Sequence, residues 1–275
     1  MSASHAAPQA ATPDVAPAAP AAYLRQVYGV AAAEVQKLRH DPFELVTRAA
    51  QPLLWLVLFG EVMAQIHGLP TGNLAYLDYL AAGILAQSVL FVAIFYGIAA
   101  IWERDLGILH RYLVSPAPRS ALVLGKAVSA GVRGLSQALV VYVLAAVLHV
   151  AVSFDPRRVA GMVVLIVLGA AVFSTLSLII ACLVKTRERF MGIGQVLTMP
   201  IFFASNAIYP LQIMPAWLRA VAHVNPLTYE VDALRALMIR GGVSVFGLGT
   251  DFAVLAGTFA VLVGIAARLY GRMGT

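Results

Sequence analysis

Several runs of about 20 predominantly apolar residues constrain this chain more than any other feature. Wound as a helix rising 1.5 Å per residue, each such run reaches across a hydrocarbon core of roughly 30 Å. Of the 275 residues, 61% are hydrophobic and only 12% charged, which is far from the balance of a soluble domain. The reading is an all-α integral membrane protein. A transmembrane β-barrel would need short segments of alternating polarity, and the sequence has none. The net charge of +6 would suit a nucleic-acid binder if it formed one stripe. Here the basic residues sit at the ends of apolar runs, so membrane topology accounts for them and no nucleic-acid partner is expected. Cys182 is the only cysteine. That excludes an intramolecular disulfide or a cysteine metal cluster, and the residue reads as a small buried hydrophobe.

Residues 1–21 are rich in Ala and Pro with no apolar block, and predict a disordered tail rather than a signal peptide. Residues 22–275 then form one transmembrane domain. Tyr23 to His40 mixes Leu24, Val27, Val30 and Val35 with Arg25, Lys37 and Arg39, the pattern of an amphipathic helix lying along the membrane surface among lipid headgroups. Asp41-Pro42-Phe43-Glu44 is a helix start, with Asp41 as N-cap and Pro42 in the first position. Six spans are expected: Val46 to Ile66 with a kink at Pro52, Tyr79 to Ile101, Val128 to Val150 on a helix starting near Ala121, Val159 to Val184 capped by Asp155-Pro156, Met191 to Ile208 with Pro200 midway, and Phe252 to Leu269.

Between spans two and three lies a charged island, WERDLGILHRYLVSPAPR, from Trp102 to Arg119. Leu106, Leu109 and Leu113 recur at roughly helical spacing among Glu103, Arg104, Asp105, His110 and Arg111, and Pro116 and Pro118 end the helix. Such an element reads as a docking plug for another protein or as a solvated connection, and its charge pattern alone favours the latter.

Six spans place both termini on one face. Arg25, Lys37, Arg39, Arg48, Arg104, Arg111, Arg119, Lys185, Arg187, Arg189, Arg268 and Arg272 share that face, against Arg157, Arg158, Arg219, Arg235 and Arg240 opposite. The positive-inside rule makes the richer face cytoplasmic, in a plasma or bacterial inner membrane. The connection from 210 to 250 is too apolar for a loose loop. It predicts two short helices, Leu211 to His223 and Leu227 to Arg240, hinged at Asn225-Pro226 as an outer re-entrant hairpin. The hairpin reads equally as a structural lid or as part of a transport path.

Chemistry of the chain's own is missing. No G-x-x-x-x-G-K-[ST] loop for nucleotide, no H-E-x-x-H, no G-x-S-x-G and no clustering of the six histidines is present,. The spans hold almost no mid-membrane carboxylates, as an ion-driven carrier would need. Glu61 lies off-centre and reads as snorkelling; Arg133 reads as reaching cytoplasmic headgroups. A pathway without an energy source borrows one.

The run WERDLGILHRYLVSPAPRSALVLGKA resembles the coupling segment of ABC-2 type exporter permeases, closest to the daunorubicin-resistance type of drug and lipid exporters. The matching positions are Glu103, Arg104, Gly107, Leu109, Ser115, Pro116 and Arg119, and VNPLTYEVDALRALM is similar to the family's segment before the last span. His110 departs from the pattern, standing where a second acidic residue is expected. The resemblance implies an N-terminal elbow helix, six spans, a cytoplasmic coupling helix and an outer hairpin over residues 22 to 272. It implies a non-catalytic subunit with no cofactor of its own, two ATPase subunits binding ATP and Mg, and a second permease copy or a related permease. The cargo would be an amphipathic drug, lipid or glycolipid. The ATPase-coupling residues would be Glu103, Arg104, Asp105, Gly107, Leu109, Arg111, Ser115, Pro116 and Arg119. Phe202, Phe203, Asn206 and Tyr209 are candidates to line the translocation path, or ordinary packing. Two readings from other classes stand beside this one: an ion-coupled carrier or channel, and a membrane scaffold with no cargo.

Overall fold

A computed structural model describes residues 42–65, 71–72, 74–106, 119–184 and 186–270. The expected tail and elbow helix lie outside them. The described residues form helices α1 (Pro42–Leu54), α2 (Gly60–Ala64), α3 (Tyr76–Tyr96), α4 (Ile98–Asp105), α5 (Arg119–Val147), α6 (Pro156–Leu183), α7 (Arg187–Phe203), α8 (Ala216–Val224), α9 (Pro226–Met238) and α10 (Leu248–Tyr270). Among the described residues there is no strand, only an isolated bridge from Val152 to Ile239. Four stretches are long and apolar enough to cross a membrane: Tyr76–Trp102, Val123–Val147, Pro156–Leu183 and Leu248–Leu269. They coincide with the expected spans two, three, four and six.

The other two expected spans are interrupted helices. Pro52 sits inside α1, and a π-helical turn over Trp55–Phe59 separates α1 from α2. There Gly60 N–H donates to Trp55 O five residues back, so the register shift follows close behind the residue that lacks a donor. α7 stops at Phe203, not Ile208, three residues past Pro200. Span two is itself broken at Gly97. The Ser177 hydroxyl donates to Ile94 O, the carbonyl that also takes Gly97 N–H at 3.3 Å. Drawn two ways, it leaves the regular ladder and α4 begins.

Helix starts follow their sequence signals. Asp155 Oδ1 accepts from Arg157 N at 2.9 Å with Pro156 in the first turn of α6, and Thr186 accepts from Arg189 N to open α7. Asn225 caps α9 by accepting from Leu227 N at 3.0 Å, again with Pro next. Each satisfies an otherwise orphaned N–H.

α6 is the hub, packing against α3, α5, α9 and α10. The core joins Leu80, Ile84, Leu85 and Leu90 of α3 to Leu165, Ile166 and Phe173 of α6 and to Leu234 and Met238 of α9. Large apolar side chains left exposed stand on the outside of the bundle, among them Leu54, Leu58 and Val62 on the first helical segment and Met191, Val196 and Phe203 on α7. This inverted surface is what a lipid-facing or subunit-facing helix requires.

Candidate functional site

The hairpin region departs furthest from expectation. Leu211 to His223 is not one helix: a 3-10 turn covers Leu211–Ile213, Met214 is extended, and α8 starts after Pro215, which cannot continue a hydrogen-bonded ladder,. Arg219 ties the two sides of that break together, donating to Leu211 O at 3.1 Å and Met214 O at 3.0 Å. α8 stays outside, with Trp217 exposed. α9 does not. All of its residues except Pro226 and Ala236 are buried, although it carries Glu230, Asp232 and Arg235.

These charges are deeply placed and unequally satisfied. Asp232 Oδ2 accepts from Val245 N at 2.7 Å, Phe246 N at 3.0 Å and Ser244 Oγ at 2.9 Å, while Oδ1 faces Arg235 Nη1 at 3.8 Å. The Arg235 guanidinium lies 3.6 Å over the Tyr79 ring and donates to Asn206 O at 2.9 Å, beside the Tyr79 hydroxyl on the same carbonyl. Arg235 therefore bridges α9, α3 and the segment after α7. The sequence reading placed it among the topology-setting charges of an outer connection; it is only 4% exposed, so its charge is compensated inside the protein.

Glu230 has no such partners. It is fully buried and neither carboxyl oxygen is hydrogen-bonded. A Cβ on Gly169 would stand 2.2 Å from Glu230 Oε1, so only glycine leaves room for that carboxyl against the midpoint of α6. Glu230 is hidden in the sequence because α9, at 13 residues, is too short to read as a span yet carries the group to the level of one. The detectable signal was three charges within six residues of an otherwise apolar stretch.

Of the four path candidates, Phe202 is fully buried and Asn206 nearly so, Tyr209 is half-buried and Phe203 exposed. Trp55 gathers the two phenylalanines, with ring centroids at 5.7 Å and 6.4 Å, and the Tyr209 hydroxyl donates to Phe203 O. Asn206 belongs instead to the Tyr79–Arg235 group. Both sets sit beside the hinge, where Asn225 Nδ2 donates to Ile201 O at 2.7 Å and Ala204 O at 2.9 Å, closing the end of α7.

Of the expected coupling residues, Glu103 and Arg104 fall in the last turn of α4, Asp105 ends it and Arg119 opens α5. Gly107, Leu109, Arg111, Ser115 and Pro116 lie outside the described residues. Asp105 accepts two bonds from Arg187, at 3.1 Å from Nε and 2.9 Å from Nη2, and the Arg187 guanidinium stacks 3.6 Å from the Trp102 ring. The island's first turn and the basic loop thus meet at one end of the bundle. At the other end Asp78 Oδ1 accepts from Ala151 N, and Arg158 and Arg240 donate to Ile239 O and Val152 O. The Arg133 guanidinium lies 5.1 Å over the Tyr96 ring.

Four membrane-length apolar helices packed on a shared hydrophobic core are the architecture of a helical integral membrane protein. Residues 25–239 match the ABC-2 type transporter family, and the chain belongs to that family. It is similar to the ycf38 transport permease protein of Pyropia yezoensis, 31% identical over 71% of this chain and 68% of the relative. The daunorubicin resistance ABC transporter permease protein DrrB1 of Streptomyces coeruleorubidus is 25% identical over 84% of this chain and 81% of its own length. The inner membrane transport permease YadH of Escherichia coli K12 is 24% identical over 79% and 80%. The chain is a membrane transport permease subunit.

Proposed function

We propose that this chain is the membrane-spanning subunit of an ATP-binding-cassette exporter that moves an amphipathic drug, lipid or glycolipid out of the cytoplasm. The family match across residues 25–239, which includes the whole charged island, carries this reading. The energy comes from two copies of a separate ATPase, which bind ATP and Mg and dock on the cytoplasmic segment from Glu103 to Arg119. A second permease copy, or a related permease, completes the pathway. The exposed apolar faces beside Trp55 and on α7 supply a surface for it or for lipid. The complete architecture is six spans, with the first segment and α7 as spans one and five, an elbow before them, α8 and α9 as the outer hairpin, and both termini cytoplasmic. Phe202, Phe203, Asn206 and Tyr209 sit where the path meets that hairpin. Catalysis stays in the ATPase, because the chain has no nucleotide loop,.

One observation favours a second reading. Glu230 is a buried, unpartnered carboxyl at the level of the α6 midpoint, the kind of group on which an ion-coupled carrier depends. Inside-out vesicles carrying the protein and its ATPase separate the two. We expect a fluorescent anthracycline, phospholipid or glycolipid probe to accumulate with ATP and to ignore a protonophore. Accumulation that survives ATP depletion and stops when the proton gradient collapses would establish the carrier instead.

A further inference from the structure

The clasp of Trp102, Asp105 and Arg187 joins the island to another helix by a side-chain ion pair, and its geometry is specific. Arg187 approaches Asp105 Oδ2 through both Nε and Nη2 while its plane covers Trp102. A guanidinium can satisfy a carboxylate and an aromatic face together; a lysine cannot. Arg187 and Asp105 remain about one-third exposed, so the clasp adds little to stability. What it fixes is the position of the end of α4 relative to the first turn of α7. Below it, Phe190 of α7 is fully buried against Ala100 and Ile101, one helical turn from Arg187 and on the same face.

The far end of α7 is tied as firmly. Its last turn is held by Asn225, whose side chain bonds Ile201 O and Ala204 O while capping α9. α7 has 17 residues and spans about 25 Å. A push on the island at Asp105 has a continuous path: Arg187, the α7 backbone, Asn225, then the α8–α9 hinge.

We propose that Arg187 is a positioning residue which delivers movement of the ATPase-docking segment to α7 and, through Asn225, to the hairpin. This rests on the exporter reading above.

The test uses the full chain with its ATPase in lipid nanodiscs. On a Cys182→Ser background, Val224→Cys, exposed at the end of α8, carries an environment-sensitive fluorophore, and the signal is the emission change on trapping with ATP and vanadate. We expect Arg187→Ala to retain the ATPase and its hydrolysis but to lose at least ~5-fold of the emission change. Arg187→Lys should recover little, because it restores charge without the stacked fork. Asp105→Arg/Arg187→Asp should recover a substantial part, which a purely local folding defect would not allow. An Arg187→Ala complex that responds like the wild type overturns the proposal, as does loss of ATPase binding, which would make Arg187 a docking residue. A wild-type chain that holds no ATPase overturns the exporter reading itself, and is seen before any variant is made.

Discussion

Asp232→Ala is expected to cost about 3–5 kcal/mol, the range for removing one partner of a buried ion pair. The loss has two sources. Arg235, 4% exposed, keeps a charge with no counter-charge beside it. Val245 N and Phe246 N lose the oxygen they share, while the Ser244 hydroxyl keeps Asp251 Oδ2, so the backbone donors add a smaller part. Asp232→Asn should cost less, since an amide oxygen still accepts from those donors. Arg235→Met in the Asp232→Ala background should return part of the loss by removing the stranded charge, so the cycle is strongly non-additive. Thermal unfolding in mild detergent, with monodisperse yield as a second readout, measures the wild type, Asp232→Ala, Arg235→Met, the double variant and Asp232→Asn. Simple additivity would mean that the pair is not coupled.

Gly83→Ala is the second large effect. A Cβ there would lie 2.2 Å from Ala207 O and 2.8 Å from Ala207 C, and a backbone carbonyl has no rotamer by which to move aside. The segment after α7 would have to lift from α3. That strains the neighbouring contacts to Asn206 O and the bond from the Tyr76 hydroxyl to Ile208 O. Overpacking of this kind costs about 1–3 kcal/mol. Because the displaced segment holds Asn206 and Tyr209, transport should fall further than stability. The same unfolding assay, beside probe accumulation in vesicles, checks it; unchanged values in both would show that α3 and the segment after α7 are not in close contact at this point.

How much of this was legible depended on the range of the interaction. Hydropathy and length marked the four long spans, and Asp155-Pro156 and Asn225-Pro226 marked helix starts because capping is local. The interrupted helices were harder. Pro52 signals a disturbance but not that a π turn three residues later absorbs it, and the break at Gly97 comes from Ser177, 80 residues away. α9 was found as a helix of the hairpin, but the extent of its burial was not. Its burial is produced by α3, α6 and α10 together, and no local pattern reports that Gly169 faces Glu230. The same holds for Arg187, which reads in sequence as one more basic loop residue. Its role as a clasp exists only where α4 and α7 meet. Charge in an apolar stretch of non-spanning length is the signal that would have singled out α9.

The claim most exposed to test is that the chain borrows its energy from a partner bound at the island. Gentle detergent purification of the tagged chain from its native membrane, followed by mass spectrometry, measures this directly, with Arg104→Glu purified in parallel. A P-loop ATPase should accompany the wild type and be lost from the variant, while the variant still inserts. Recovery of the wild-type chain with no nucleotide-binding protein, under several gentle conditions, would contradict the account and turn attention to Glu230 as the site of ion coupling.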